Sequence, residues 1–469
     1  MGNQTLRNII NVLFSNIVTV ISGVLVGFLI PKIISVEGYG LYKTFTLYVT
    51  YIGLFSLGII DGIVLKYGGI EYSNYDKNHF RNYFKYYVLV NLFFTIALTI
   101  IGATLIDKAH KFVFLAFGLN ILAVNITGYF QQISQITQRF TEYSNRKIIQ
   151  AICNIVSVLL LYLLYAKYGT VDYRIYVSII VFTNYILMLW YIHTYKEIVF
   201  GKSTGFFNQK HEVFNLIYIG FPLLFANLCS TLILTLDRQF VNLLFDTNTY
   251  AIYAFAYNML SLVTVATSAI ATVLYPMLKR QNEEKQKELL APLGGVILVF
   301  VYAVCLVYFF LVEFVKWFLP HYTESLFIFR IIFPGLAISA YITVILHNYY
   351  KIQNKNAIFF KRSLVILAVS FLANLIAYYI VGTSASISVA SILTMILWYI
   401  YSEQYFVKTM GYNRRTNLSY AVIMMAVFYG ATSCKSTILG TGLYLILFTL
   451  TTVVLQRENI KKIGELLRK

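Results

Sequence analysis

Asp237 and Arg238 stand side by side near the middle of an apolar stretch, residues 222–245, long enough to cross a bilayer. On an insertion scale each costs roughly 2.5–3.5 kcal/mol at the centre of a membrane helix. A cost of that size directs both side chains toward protein or water rather than lipid. Two uses are open to the cation. Arg238 could pair with Asp237 and hold a bundle together, or receive a phosphate through its two-pronged guanidinium. At helical spacing Asn227, Thr231, Thr235 and Arg238 form one stripe, and Asn227, Ser230 and Asp237 an adjoining one. This helix therefore has a polar side.

Three further apolar stretches carry such stripes. Near the start, Asn8, Asn11, Ser15, Thr19 and Ser22 recur at steps of three and four, with Arg7 at the mouth. Asn120, Thr127, Gln131, Ser134 and Gln138 share a face further on, as do Ser339, Thr343, His347 and Tyr350. Taken singly, a short polar side chain in a membrane often does no more than bond a neighbouring helix. Four stripes together describe a continuous hydrophilic lining, and amides and hydroxyls suit the many donors and acceptors of a sugar. The expected cavity residues are Arg238, Asp237, Asn227, Thr231, Thr235, Arg7, Asn8, Asn11, Ser15, Thr19, Gln131 and His347.

Asp61 is the candidate for ion coupling. An intramembrane carboxylate can take up a proton or sodium ion, and Asp61 has no charged neighbour three or four positions away. The alternative is a bonding role at a Gly58–Gly62 bend. Lys66 and Arg330 lie near span ends and can reach an interface. No phosphate-binding loop, zinc motif, nucleophile elbow or carboxylate pair occurs. The expectation is a protein with no enzyme chemistry, no ATP drive, no cofactor and no metal. Cys153, Cys229, Cys305 and Cys434 stand at no motif spacing.

These residues need a scaffold of membrane helices. The 469 residues are 59% hydrophobic and 12% charged, with mean hydropathy +0.71. That composition belongs to a polytopic membrane protein. The first apolar segment, from about 9 to 34, reads as a retained span rather than a signal peptide, and Leu6 stands where a myristoylation site has Ser or Thr. The net charge of +18 sits in small clusters between apolar segments, so no nucleic-acid partner is expected. Fourteen spans can be read, and sorting Lys and Arg by alternate loops favours one side roughly three to one, which places both termini in the cytoplasm.

An internal repeat divides the spans. Tyr39-Gly40-Leu41-Tyr42 matches Tyr250-Ala251-Ile252-Tyr253, and Arg146-Lys147 matches Lys361-Arg362 at a similar offset. Each pair falls at the same place in a six-span unit, and an even unit makes the repeats parallel. The expected organisation is an N-lobe over 1–200, a cytoplasmic linker over 201–213, a C-lobe over 214–410, and two further spans with a basic tail over 411–469.

The segment TLDRQFVNLLFDTNTYAIYAFAYNM resembles the region around span seven of polysaccharide transporters of the O-antigen flippase (Wzx) type. NIINVLFSNIVTVISGVLVGFLIPKIISVEGYGLYKTF resembles their first span and its Tyr-Gly-Leu-Tyr turn, and LYPMLKRQ resembles the end of their span eight. Ala251 stands where those proteins usually have Gly. The resemblance implies an all-α membrane protein of about 14 transmembrane helices, in two parallel six-helix lobes plus two C-terminal helices, of the multidrug and polysaccharide exporter type. It implies a bacterial inner-membrane flippase that moves an undecaprenyl-diphosphate-linked oligosaccharide, an O-antigen or capsule repeat unit, by alternating access. The implied partners are that lipid-linked oligosaccharide, membrane lipids and a polysaccharide polymerase complex. The alternative on the same fold is a multidrug or cation antiporter, which would favour acidic and aromatic cavity groups. A membrane polysaccharide polymerase would carry a large outer loop with catalytic residues, and the outer loops here are short.

Overall fold

A backbone inside hydrocarbon must satisfy its own hydrogen bonds, so long apolar runs become helices. The computed structural model of the chain describes residues 2–68, 72–104, 106–137, 139–201, 210–279 and 281–467; side chains at 2–13, at several positions between 262 and 276, and at 466–467 lie outside the description. Among the described residues the chain is helical almost throughout and has no strand. Its contacts divide it into two units, Met1–Leu228 and Cys229–Lys469.

Unit 1 contains α1 (Gly2–Ile33), α2 (Val36–Val49), α3 (Ile59–Tyr67), α4 (Lys77–Thr104), α5 (Lys111–Ile136), α6 (Phe140–Tyr168), α7 (Tyr173–Thr194) and the short α8 (Lys196–Val199). The helix α9 (Lys210–Leu244) runs across the division. Helix α4 packs along α5, and α1 along α6. Between α2 and α3 the chain bends by 60°. The bend follows from two successive left-handed residues, Leu57 at φ 51° and Gly58 at φ 80°, a region open to glycine and strained for others. Gly58 also lets the backbone of α9 approach, since a Cβ there would stand 2.7 Å from the Phe221 nitrogen. Tyr83 on α4 donates to Glu212 Oε2 on α9 at 2.5 Å and accepts from Tyr67 on α3 at 3.0 Å.

Unit 2 continues with α10 (Thr247–Lys279), α11 (Glu283–Val304), α12 (Val307–Phe318), α13 (Ser325–Ile332), α14 (Gly335–Ala340), α15 (His347–Ile352), α16 (Asn356–Ile380), α17 (Ser384–Met410), α18 (Arg415–Thr432) and α19 (Thr437–Leu467). The run from α13 to α15 bends by 47° at Phe333–Pro334, where proline has no N–H to continue the helix. A π-helical turn, Tyr341–Leu346, lies between α14 and α15. Arg330 serves this packing: it donates to Thr432 Oγ1 at 2.9 Å, to the Tyr429 carbonyl at 3.1 Å and to Ser433 Oγ at 2.5 Å. Helix α19 packs on α11 and α18 and leaves much of its apolar length bare, with Ile438 83% exposed. Such a face suits lipid.

Among the described residues ten helices are long and apolar enough to cross a membrane, and up to twelve if each bent pair is one span. The chain is a multi-pass membrane protein. The two other stretches read as spans, 249–278 and 416–433, coincide with α10 and α18. In α18 the polar start Arg415-Thr416-Asn417 dilutes the apolar run. Tyr39 and Tyr250, matched by the sequence repeat, each take the fourth position of their helix and are buried.

Candidate functional site

A short turn at 245–246 folds α10 back on the end of α9. Asp246 caps α10: its Oδ1 accepts the backbone N–H groups of Asn248 and Thr249, each at 3.0 Å, and Oδ2 accepts the Thr249 hydroxyl at 2.5 Å. The Thr249 bond holds the Asp246 carboxyl below the usual carboxylate range. This antiparallel hairpin brings Asp237 against Tyr253 and Tyr257, two residues four apart on one face of α10.

Asp237 is 1% exposed. Its Oδ2 accepts the Tyr253 hydroxyl at 2.9 Å and also the Tyr257 hydroxyl. Ser388 on α17 donates to Tyr253 at 3.2 Å. Oδ1 takes the backbone N–H of Arg238 at 2.8 Å. The carboxylate is therefore occupied by tyrosines, and no Asp237–Arg238 ion pair occurs among the described residues. Adjacent helical residues point about 100° apart, so one can turn inward to α10 while the other faces the cavity.

Arg238 does face it. Its guanidinium lies over the Tyr257 ring, 4.7 Å from the centroid, and one Nη donates to the Leu234 carbonyl at 2.9 Å. Its Nε is buried without a hydrogen-bond partner among the described residues. The cavity it enters has a volume of about 370 Å³. Hydroxyls of Ser261, Thr264, Thr267, Ser339 and Thr343 line it alongside apolar Leu234, Leu260, Ile332, Leu336, Ile392 and Met395. Each of these hydroxyls donates back to a helix carbonyl, at 2.6–3.1 Å. Their oxygens remain as acceptors. One unneutralised cation with donors to spare, among hydroxyl acceptors, can hold an anion at one end and hydroxylated matter beside it.

Of the expected residues Arg238 lines this cavity; Asp237 is held behind it by Tyr253 and Tyr257, and the others lie elsewhere. Thr235 is buried and donates to the Thr231 carbonyl at 2.7 Å, and neither lines the cavity. Asn227 falls in unit 1. In that unit Ser15 is buried and its carbonyl accepts Thr19 Oγ1 at 2.7 Å. Gln131 is half-buried on α5, and Asp61 is half-buried in the first turn of α3, three residues after Gly58. His347 stacks on Phe359, centroids 4.9 Å apart. The side chains of Arg7, Asn8 and Asn11 lie outside the described residues. Among the described residues no cluster of His, Cys, Asp or Glu could hold a metal. The sequence reading passed over Tyr253 and Tyr257, whose signal is a pair of tyrosines four apart on the helix after the buried acid. It also passed over the hydroxyls of α10.

By fold the chain is similar to transporters of the MOP superfamily. It superposes on a lipid II flippase, MurJ, in an inward closed conformation, with TM-score 0.68 at 16% identity over 97% of this chain and 100% of that one. An inward-facing multidrug resistance MATE family transporter gives TM-score 0.59 at 11% identity over 90% and 96%. A MOP superfamily transporter from Pyrococcus furiosus gives 0.55 at 12% over 87% and 96%. Residues 5–282 match the family described as polysaccharide biosynthesis protein, and the chain belongs to that family. No curated protein matches the sequence.

Proposed function

We propose that this protein is a flippase that carries a lipid-diphosphate-linked oligosaccharide, such as an O-antigen or capsule repeat unit, across the bacterial inner membrane, with both termini in the cytoplasm. The observation that carries the reading is Arg238: a cation whose neighbouring acid is held by tyrosines, so that its charge remains for a ligand. A diphosphate needs such a cation, and a planar guanidinium can meet it with two bonds at once. The sugar needs a polar path because hydrocarbon cannot solvate its hydroxyls, and the hydroxyl acceptors of α10, α14 and the π-helical turn provide polar surface. The lipid tail stays in the bilayer. Membership of the polysaccharide biosynthesis family and the flippase fold support the same substrate class. A polysaccharide polymerase complex would then receive the exported unit. The apolar part of the cavity lining would also fit a hydrophobic cation, but a fixed cation repels one.

The test is flipping of a lipid-diphosphate oligosaccharide in proteoliposomes, read by a lectin confined to one side. Arg238→Ala is expected to accumulate as folded protein and lose flipping. Arg238→Lys should keep part of it, because charge survives while the fork is lost. Full flipping by folded Arg238→Ala would remove the reading.

A further inference from the structure

Glu403, near the end of α17, has no exposed surface. Its Oε1 accepts the hydroxyls of Tyr341 at 2.7 Å and Tyr399 at 3.1 Å. Its Oε2 has no hydrogen-bond partner among the described residues. The Tyr341 hydrogen is committed to Glu403, so in the 3.0 Å contact between Tyr341 and Tyr412 it is Tyr412 that donates. Asn417 donates to Tyr412 in turn, at 3.1 Å, and accepts from Gln456 at 3.2 Å. Every bond in this series points toward the carboxylate.

The surroundings are built for it. The π-helical turn carries Tyr341, and such turns recur at functional sites. Gly294 on α11 makes room, since a Cβ there would stand 2.5 Å from Tyr341 Cε2. Next to it, a Cβ on Gly295 would stand 2.7 Å from Asn459 Nδ2. Of the charged groups near the loop after α17, Arg414 makes no ion pair with Glu403, and its Nη1 is itself buried without a partner among the described residues. Lys287 Nζ lies at the edge, by Gly411. The titratable groups facing Glu403 are thus Tyr341 from the turn, Tyr399 from α17, and Tyr412 with Arg414 from the loop. A carboxylate kept only for packing would have both oxygens satisfied, because an unmet buried acceptor is costly.

We propose that Glu403 is a proton-binding site, loaded from the loop 411–414 through the hydroxyls of Tyr412 and Tyr341. The step balances as a relay. A hydronium ion at the loop gives a proton to Tyr412 and is left as water, Tyr412 passes its own to Tyr341, and Tyr341 passes its own to Glu403 Oε1; three O–H bonds form and three break. The uptake cancels a buried charge. Ser339 and Thr343 line the Arg238 cavity two residues to either side of Tyr341, so one turn touches both the proton and the cavity. Proton binding itself does not rest on the proposed substrate.

The full-length protein in lipid nanodiscs, without substrate, tests this by infrared difference spectroscopy across pH. A protonated-carboxyl stretch is expected to grow as pH falls and to be lost in Glu403→Gln. Tyr412→Phe should keep the band and slow its shift in heavy water. If no band titrates, or the band survives unchanged in Glu403→Gln, the proposal fails. Should Glu403→Gln not fold, Tyr341→Phe decides: loss of its hydrogen bond must move the band frequency, and an unmoved band overturns the assignment.

Discussion

The Tyr253 hydroxyl donates to Asp237 Oδ2 across 2.9 Å, between two residues buried almost completely on adjacent helices. This bond, with that from Tyr257, is what separates the acid from its sequence neighbour Arg238. A buried anion without donors loses far more than a mean hydrogen bond, because the desolvation of the charge is no longer offset.

Tyr253→Phe leaves Asp237 with the Tyr257 hydroxyl and the Arg238 N–H, and should destabilise the protein by about 1.5–3 kcal/mol, the range for one hydrogen bond to a charged group. Thermal melting in detergent would show it. Adding Asp237→Asn is expected to recover part of the loss, since the charge that has lost a donor is gone. An Asp237→Asn cost that is the same in both backgrounds would mean the two side chains do not interact.

Gly58→Ala should prevent accumulation of folded protein. The residue sits at φ 80° and its added Cβ would stand 2.7 Å from the Phe221 backbone nitrogen, which cannot swing away as a side chain could. Gly169→Ala is the control: φ is 78° there too, yet nothing lies within 4 Å. Only the left-handed penalty of about 1–2 kcal/mol applies, and that variant should fold. Size-exclusion profiles of the two variants check the difference.

Asp246→Ala removes the cap of α10 and is expected to cost about 1 kcal/mol. The pH dependence has a fixed sign. The folded-state value of Asp246 is depressed by its bond to Thr249. Its contribution is present above the ordinary carboxylate range and is lost as pH falls through the depressed folded value. The wild-type and Ala melting temperatures should converge on acidification.

Reporter fusions after Lys210, Lys287 and Lys469 should all report cytoplasm, as the distribution of Lys and Arg requires. An external signal at any one of them would break the alternation of spans.

Much of the scaffold was legible in the sequence. Apolar runs separated by basic clusters dictate membrane helices, and a charge pair in mid-span dictates an inward polar side. A bend at Gly58 was legible as well, because glycine opens the left-handed region, although its second left-handed residue is Leu57 and Gly62 lies inside α3. The cavity lining was less so. Periodicity places Thr231 and Thr235 on the stripe of Arg238 and Ser339 and Thr343 on another; the second pair does line the Arg238 cavity, the first does not, and the remaining hydroxyls, Ser261, Thr264 and Thr267, come from α10.

What the sequence alone determined is local in origin: span by span, which segments cross a membrane, and that Asp237 and Arg238 cannot face lipid. Which group satisfies which was decided only by tertiary structure. Asp237 finds its donors 16 and 20 residues away, and Glu403 receives Tyr341 across 62. Glu403 reads in sequence as an ordinary charge near a span end. Packing of α14 and the π-helical turn against α17 makes it a buried acid with one oxygen unpaired among the described residues. Helical spacing acts over three or four residues, whereas the desolvation that sets the chemistry of a charge depends on every helix packed against it.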